Sequence, residues 1–115
     1  MKNKQKKLET LKKNYQFQRV YKKGVFRSTK YTVLGFLKNK ESKNRLGVSI
    51  SKKVGKSIVR HRIKRYYKEA YRVLKNDIKE GYDLVLIARK GAENLNYWDI
   101  VAELRKIFSR GKLFK

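Results

Sequence analysis

The period of the apolar residues changes several times along the chain, and each change marks an element. Phe17, Val20 and Tyr21 fall at i, i+3 and i+4, the spacing that puts side chains on one helical face. Asn14 is placed to cap that helix, and Gly24 to end it after about Lys23. Beyond Gly24 the pattern is extended: a short VFRS piece, then YTVLGFLK over 31–38 and a polar turn, NKESKN. In RLGVSISK (45–52), Leu46, Val48 and Ile50 alternate with Gly47, Ser49 and Ser51. That period of two predicts a strand with one face on a core. YDLVLIAR (82–89) is apolar at nearly every position from Leu84 to Ala88, which predicts a central strand covered on both sides.

Two longer helices complete the pattern. One is predicted over 57–75, before the polar NDIKEG turn. The other starts at Asn96 as N-cap, with Asp99 three residues on as a capping-box variant. Tyr97, Ile100, Val101, Leu104, Ile107 and Phe108 form its apolar side, Trp98 is read as structural, and Gly111 ends it. No repeat or linker divides the chain, so residues 1–115 read as one domain, with 1–12 as a mobile, lysine-rich tail.

Charge changes the picture most. The 115 residues carry 33 Lys and Arg against 9 Asp and Glu, a formal net charge of +24. Self-repulsion on that scale penalises a compact fold unless a polyanion neutralises it. Yet 40% of the residues are hydrophobic, with 8 Tyr and 5 Phe, too many for a disordered basic arm. A folded core under a cationic shell is expected. Cysteine is absent, so no disulfide or thiolate metal site is available. The N-terminal MKNKQKKLETLKK has no apolar segment behind it, which argues against a secretory signal. No apolar run approaches the roughly 18 residues of a membrane span. The expectation is a cytoplasmic protein that does not engage membranes.

The stretch IVRHRIKRYYKEAYR (58–72) concentrates the charge. Wound at about 100° per residue from Arg60, it places His61, Lys64, Arg65, Lys68 and Arg72 within roughly 0–140°. Val59, Ile63, Tyr66, Tyr67, Ala70, Val73 and Leu74 fall between about 220° and 340°, with Arg62 near the boundary. The helix is thus greasy on one side and cationic on the other. From Lys52 to Arg72 there are nine Lys or Arg and a single acid, Glu69. Solvated helix faces normally mix signs, because like charges at i, i+4 are destabilising. This face fits phosphates better than it fits water. Nothing in the chain reads as a zinc finger, basic zipper, helix-turn-helix pair or paired-aromatic RNA-binding sheet.

Three segments go further. LKKNYQFQRVYKKG (11–24), RLGVSISKKVGKSIVRHRIKRYYKEAY (45–71) and LVLIARK (84–90) resemble the protein component of bacterial ribonuclease P, in order and in spacing. The resemblance implies an α+β two-layer sandwich similar to ribosomal-protein domains. It has a central mixed sheet whose parallel pair is joined by the basic helix in a left-handed crossover. It also implies removal of the 5′ leader from precursor tRNA, with the chemistry done by a catalytic RNA and its Mg2+ ions. No cofactor is expected on the protein alone, and no obligate protein partner.

Carried over residue by residue, Arg60, Arg62, Lys64 and Arg65 would contact the catalytic RNA, joined by Lys68 and His61 on the same helix. Phe17 and Tyr21, with Tyr31 as a weaker candidate, would stack on leader bases. Lys52, Lys53, Lys56, Arg89 and Lys90 would meet phosphates of the leader-bearing tRNA. His61 stands where the family usually has Asn, and Ser57 where it has Ala, which puts any amide-specific contact at 61 in doubt. Read from spacing alone, Phe17 and Tyr21 suit a buried core as well as they suit base stacking.

No self-sufficient active site is expected. The nine acids are scattered, and only Glu80/Asp83 and Asp99/Glu103 lie near one another. The competing reading is a ribosomal or other structural RNA-binding protein with no role in cleavage.

Overall fold

A computed structural model describes residues 8–115. Helix α1 (Asn14–Lys23) starts one residue earlier than expected, with Lys13 rather than Asn14 at the N-cap. Gln16 does the capping, its Oε1 accepting from the N–H groups of Lys12 (2.7 Å) and Lys13 (2.9 Å). Gly24 ends α1, its N–H donating to the Val20 carbonyl at 2.8 Å. Strands β1 (Val25–Ser28), β2 (Thr32–Lys38) and β3 (Arg45–Ile50) follow, then α2 (Ser57–Leu74), β4 (Tyr82–Ala88) and α3 (Tyr97–Arg110).

The strands form one mixed sheet in the order β1-β2-β4-β3. β4 is central, antiparallel to β2 and parallel to β3, and α2 connects the parallel pair. The apolar run in β4 has the reason the sequence suggested. Leu84 and Leu86 enter a core shared with Ile63, Tyr67 and Leu74 of α2 and with Ile100, Leu104 and Phe108 of α3. Val85, on the other side, meets Val20 of α1 and Leu11. The sheet therefore carries α2 and α3 on one face and α1 on the other. Each fully buried Leu of β4 stabilises the fold by roughly 2–5 kcal/mol relative to Ala.

The N-terminal segment departs from expectation. Residues 8–11 are docked rather than part of a free tail. Thr10 bridges Leu46 in parallel, Leu46 N–H donates to the Glu9 carbonyl at 2.9 Å, and Leu11 N–H donates to the Leu46 carbonyl at 3.0 Å. Leu11 is buried and Leu8 packs against the main core. Two leucines among lysines are too few to set a period, but they suffice to cover the start of an edge strand. Lys12 leads directly into α1, and residues 1–7 of the predicted tail lie outside the described residues.

α2 also rotates slightly from its predicted register. Tyr71 falls at about 20° on the wheel, inside the cationic arc, yet it is buried with its ring 6.2 Å from that of Phe108. Val73, assigned to the apolar arc, is exposed. The buried stripe is Ile63, Tyr67, Ala70, Tyr71 and Leu74, because α3 lies further toward the Tyr71 side than periodicity alone could show.

Two buried carboxylates tie elements together. Asp83 on β4 accepts a bidentate pair from Arg45 of β3 (Nε 2.8 Å, Nη2 2.9 Å) and a bond from Asn39 Nδ2 at 3.0 Å. Arg19 of α1 approaches it at 3.7 Å. Hydrogen bonding to Asp83 raises the Arg45 pKa above its ordinary value. Glu103 of α3 accepts from Thr29 Oγ1 (2.6 Å) and Thr32 Oγ1 (3.3 Å), fixing the β1–β2 turn. α3 begins as predicted: Asn96 Oδ1 accepts from Asp99 N–H (2.8 Å) and Asp99 Oδ2 from Asn96 N–H (3.0 Å).

Candidate nucleic-acid interface

Burial of the stripe on α2 leaves its cations outside. His61, Arg62, Lys64 and Arg65 are exposed, while Arg60 and Lys68 are half-buried. Arg60, His61 and Lys64 line one hollow beside Val48 and Ile50 of the edge strand. His61, Lys64, Arg65 and Lys68 line the next together with Glu69, whose carboxylate pairs with Arg72 at 3.4 Å. Arg62 lies on the opposite flank, where His61 and Arg65 join it in a third hollow and its Nη2 donates to the Glu93 carbonyl at 3.2 Å. His61 thus sits at the centre of the cationic surface.

Ion pairs among the described residues engage Arg19, Lys43, Arg45 and Arg72, and none of Arg60, Lys64, Arg65 or Lys68. A row of cations one helical turn apart without carboxylate partners is a ready receptor for a phosphate chain.

The parallel pair gathers the second group. β3 and β4 run together, with Ile50 opposite Ala88 and the Ser51 N–H donating to the Ala88 carbonyl at 3.1 Å. Lys52 and Lys53, on a 3-10 turn after β3, therefore leave the same end of the sheet as Arg89 and Lys90 after β4. Lys56, the N-cap of α2, stands at that end too. All five side chains are exposed. Arg89 spends one donor on its own scaffold, Nη1 to the Thr29 carbonyl at 3.2 Å.

On the other face of the sheet, α1 and the strands bound an aromatic cleft. Phe17 is half-buried, its ring lying over Gly47; a β-carbon there would come within 2.5 Å of it. The Tyr21 ring follows at 6.5 Å, and Phe26 of β1 stands 6.5 Å beyond, nearly parallel to Tyr21 at 23°. Tyr21 is 39% and Phe26 37% exposed. Partial burial raises the Tyr21 pKa above that of a free phenol. Gly35 gives Phe26 its room, as Gly47 does for Phe17. The three rings form a row of partly exposed aromatics, which can stack bases without reading their identity.

Tyr31 is not in that row. It packs on Gly91 and against the main core, with the Lys30 ammonium 5.4 Å from its ring. Phe26 was missed in the sequence; its signal was the VFRS piece, which as a strand opposite Gly35 turns Phe26 toward α1. Trp98, read as structural, is 71% exposed. Tyr97 takes the inward position on the first turn of α3, and the next residue points away.

No helix among the described residues is long and apolar enough to cross a membrane. Residues 5–112 match the family model described as Ribonuclease P. The chain is 44% identical to the ribonuclease P protein component of Natranaerobius thermophilus over 92% of each chain. It is 46% identical to that of a Clostridium botulinum strain, over 90% of this chain and 95% of the relative. Its fold is similar to the RNase P protein of Staphylococcus aureus, with a TM-score of 0.86 and 35% identity over 95% of this chain and 100% of that one. The Thermotoga maritima RNase P protein superposes with a TM-score of 0.81 at 30% identity, over 89% and 96% of the two chains.

Proposed function

The chain belongs to the ribonuclease P protein family, and from that premise we propose a division of labour between its two surfaces. The cationic side of α2 holds the catalytic RNA subunit. The cleft between α1 and the sheet holds the single-stranded 5′ leader of precursor tRNA, and the lysines at the end of the parallel pair take phosphates beside it. The RNA cuts the leader, using Mg2+ ions that it binds itself. The protein supplies affinity and position, in the cytoplasm where the precursor is made.

One observation carries this reading: cations without ion-pair partners and a row of partly exposed aromatics occupy different sides of one sheet. A single RNA-coating surface would need no such separation. Three of the four acids that lie near one another in sequence are engaged in holding the fold. Asp83 is paired with Arg45, Asp99 caps α3, and Glu103 is held between two threonines.

Reconstitution with the cognate catalytic RNA tests the proposal. At low Mg2+, the protein is expected to raise cleavage of leader-bearing tRNA. Phe17→Ala is expected to reduce the preference for leader-bearing over mature tRNA, leaving catalytic-RNA affinity intact. Replacement of Lys64 and Arg65 by Glu should do the reverse. Identical defects in both variants would refute two surfaces, and no protein-dependent gain would refute the function.

A further inference from the structure

Trp98, the one tryptophan of the chain, contributes little to the core, since 71% of it is exposed. It is nevertheless held in place. Its ring meets Tyr97 edge-on with centroids 4.9 Å apart, and Tyr97 meets Tyr66 of α2 at 6.1 Å and 70°. The guanidinium of Arg65 lies 5.9 Å from the Tyr66 ring. An aromatic ladder therefore runs from the cationic surface of α2 across to the first turn of α3. Such edge-on pairs are individually favourable and restrict ring rotation, so the indole is a pre-set flat surface.

We propose that Trp98 is a stacking platform for an unpaired base of the catalytic RNA, extending the α2 surface onto α3. This rests on the assignment of α2 to that RNA. Chemistry selects the occupant. The ladder is continuous with Arg65, and Arg62 stands on the same flank against Glu93. A strand whose phosphates lie along those cations can turn an unpaired base onto the indole, where its π-face replaces water. Two carboxylates stand nearby, Asp99 held by the Asn96 N–H and Glu93 by the Gly91 N–H, and Arg62 and Arg65 on the same flank offset their charge. A second copy of the chain fits poorly, since a +24 protein would bring Arg62 and Arg65 against their own kind. The platform is separate from the leader cleft, because α1 and α3 lie on opposite faces of the sheet.

The full-length protein and the cognate catalytic RNA, without tRNA, provide the test. Because Trp98 is the sole indole, its emission reports the site directly, and a change in emission that saturates with the RNA is expected. Trp98→Ala should weaken binding roughly tenfold without altering the salt dependence, since no charge is removed. Trp98→Phe should recover most of the loss, and far-UV circular dichroism should be unchanged in both. The platform is overturned if Trp98→Ala binds as tightly as wild type while replacement of Lys64 and Arg65 by Glu still weakens binding. That result leaves the α2 assignment standing. Failure of the wild type to bind the RNA would sink both. A loss of self-association in Trp98→Ala, with RNA affinity unchanged, would identify a second copy as the occupant instead.

Discussion

Gly47 and Phe17 work as one unit, a residue without a side chain beneath a ring that occupies the vacant space. A β-carbon at 47 would stand 2.5 Å from the ring and 3.2 Å from Leu11 Cδ1. The ring is the far end of a half-buried side chain, so it can swing aside and spare the backbone. Gly47→Ala is therefore expected to cost only about 1 kcal/mol in a urea melt. It should nevertheless lower leader preference nearly as much as Phe17→Ala, in competition between leader-bearing and mature tRNA. An unchanged preference would show that the position of the Phe17 ring is immaterial.

Tyr67 makes a second prediction at this scale. Its hydroxyl shares a 2.6 Å hydrogen bond with Thr32 Oγ1 in the fully buried core. Burial foremost, and the nearby Glu103 charge, push its pKa up to about 12, against a lowering by the Thr32 bond. The folded state keeps the phenol neutral, so its stabilising effect is whole below pH 10 and is lost as pH rises from about 10 to 12. Linkage puts that loss on the order of 2–3 kcal/mol. Tyr67→Phe should be less stable at neutral pH but show a shallower decline across this window, measured by denaturation at stepped pH.

At the scale of the element, the charge pattern of α2 works against the stability of the helix. Arg60, Lys64 and Lys68 recur at i, i+4, each pair mildly destabilising. Lys64→Glu turns both neighbouring pairs attractive, which is expected to stabilise the free protein by a few tenths of a kcal/mol at low salt. The same change should weaken binding to the catalytic RNA and make its salt dependence shallower, by roughly one unit of slope for each phosphate that the helix no longer neutralises. A calorimetric melt and a salt titration, read side by side, check the opposed signs. If RNA affinity falls together with stability, the face is structural and not a phosphate receptor.

Over the whole molecule, charge decides the conditions under which the fold is comfortable. The described residues measure 42 × 36 × 27 Å. At 10 mM salt the screening length of about 30 Å spans the protein, whereas near 0.1 M it falls to about 10 Å. Self-repulsion is therefore felt across the fold in dilute buffer and only between neighbours at higher salt. The melting temperature without RNA is expected to rise between 10 mM and 0.5 M sodium chloride by several degrees, equivalent to about 1 kcal/mol. Catalytic RNA at low salt should raise it too, to the extent that it binds the ordered cationic surface more tightly than the unfolded chain. A melting temperature indifferent to salt would mean that the net charge imposes no repulsion on this fold.

The sequence by itself determined most of the elements and the cationic side of α2. Periods of two and 3.6 are local, so β2, β3, β4, the span of α2 and the Asn96–Asp99 box could be read without knowing what packs on what. The separation of grease from cation on α2 was legible for the same reason, and it rested on 100° per residue alone. The tertiary structure decided what depends on contact between distant residues. It moved Tyr71 inward and Val73 outward because α3 lies where periodicity cannot say. It docked residues 8–11 on β3 and set Phe26 beside Tyr21. It left Trp98 in solvent, and it brought Lys52 and Lys53 to the end of the sheet where Arg89 and Lys90 stand. A side chain's neighbours in sequence fix its direction along an element, whereas only the packing of elements fixes what lies in that direction.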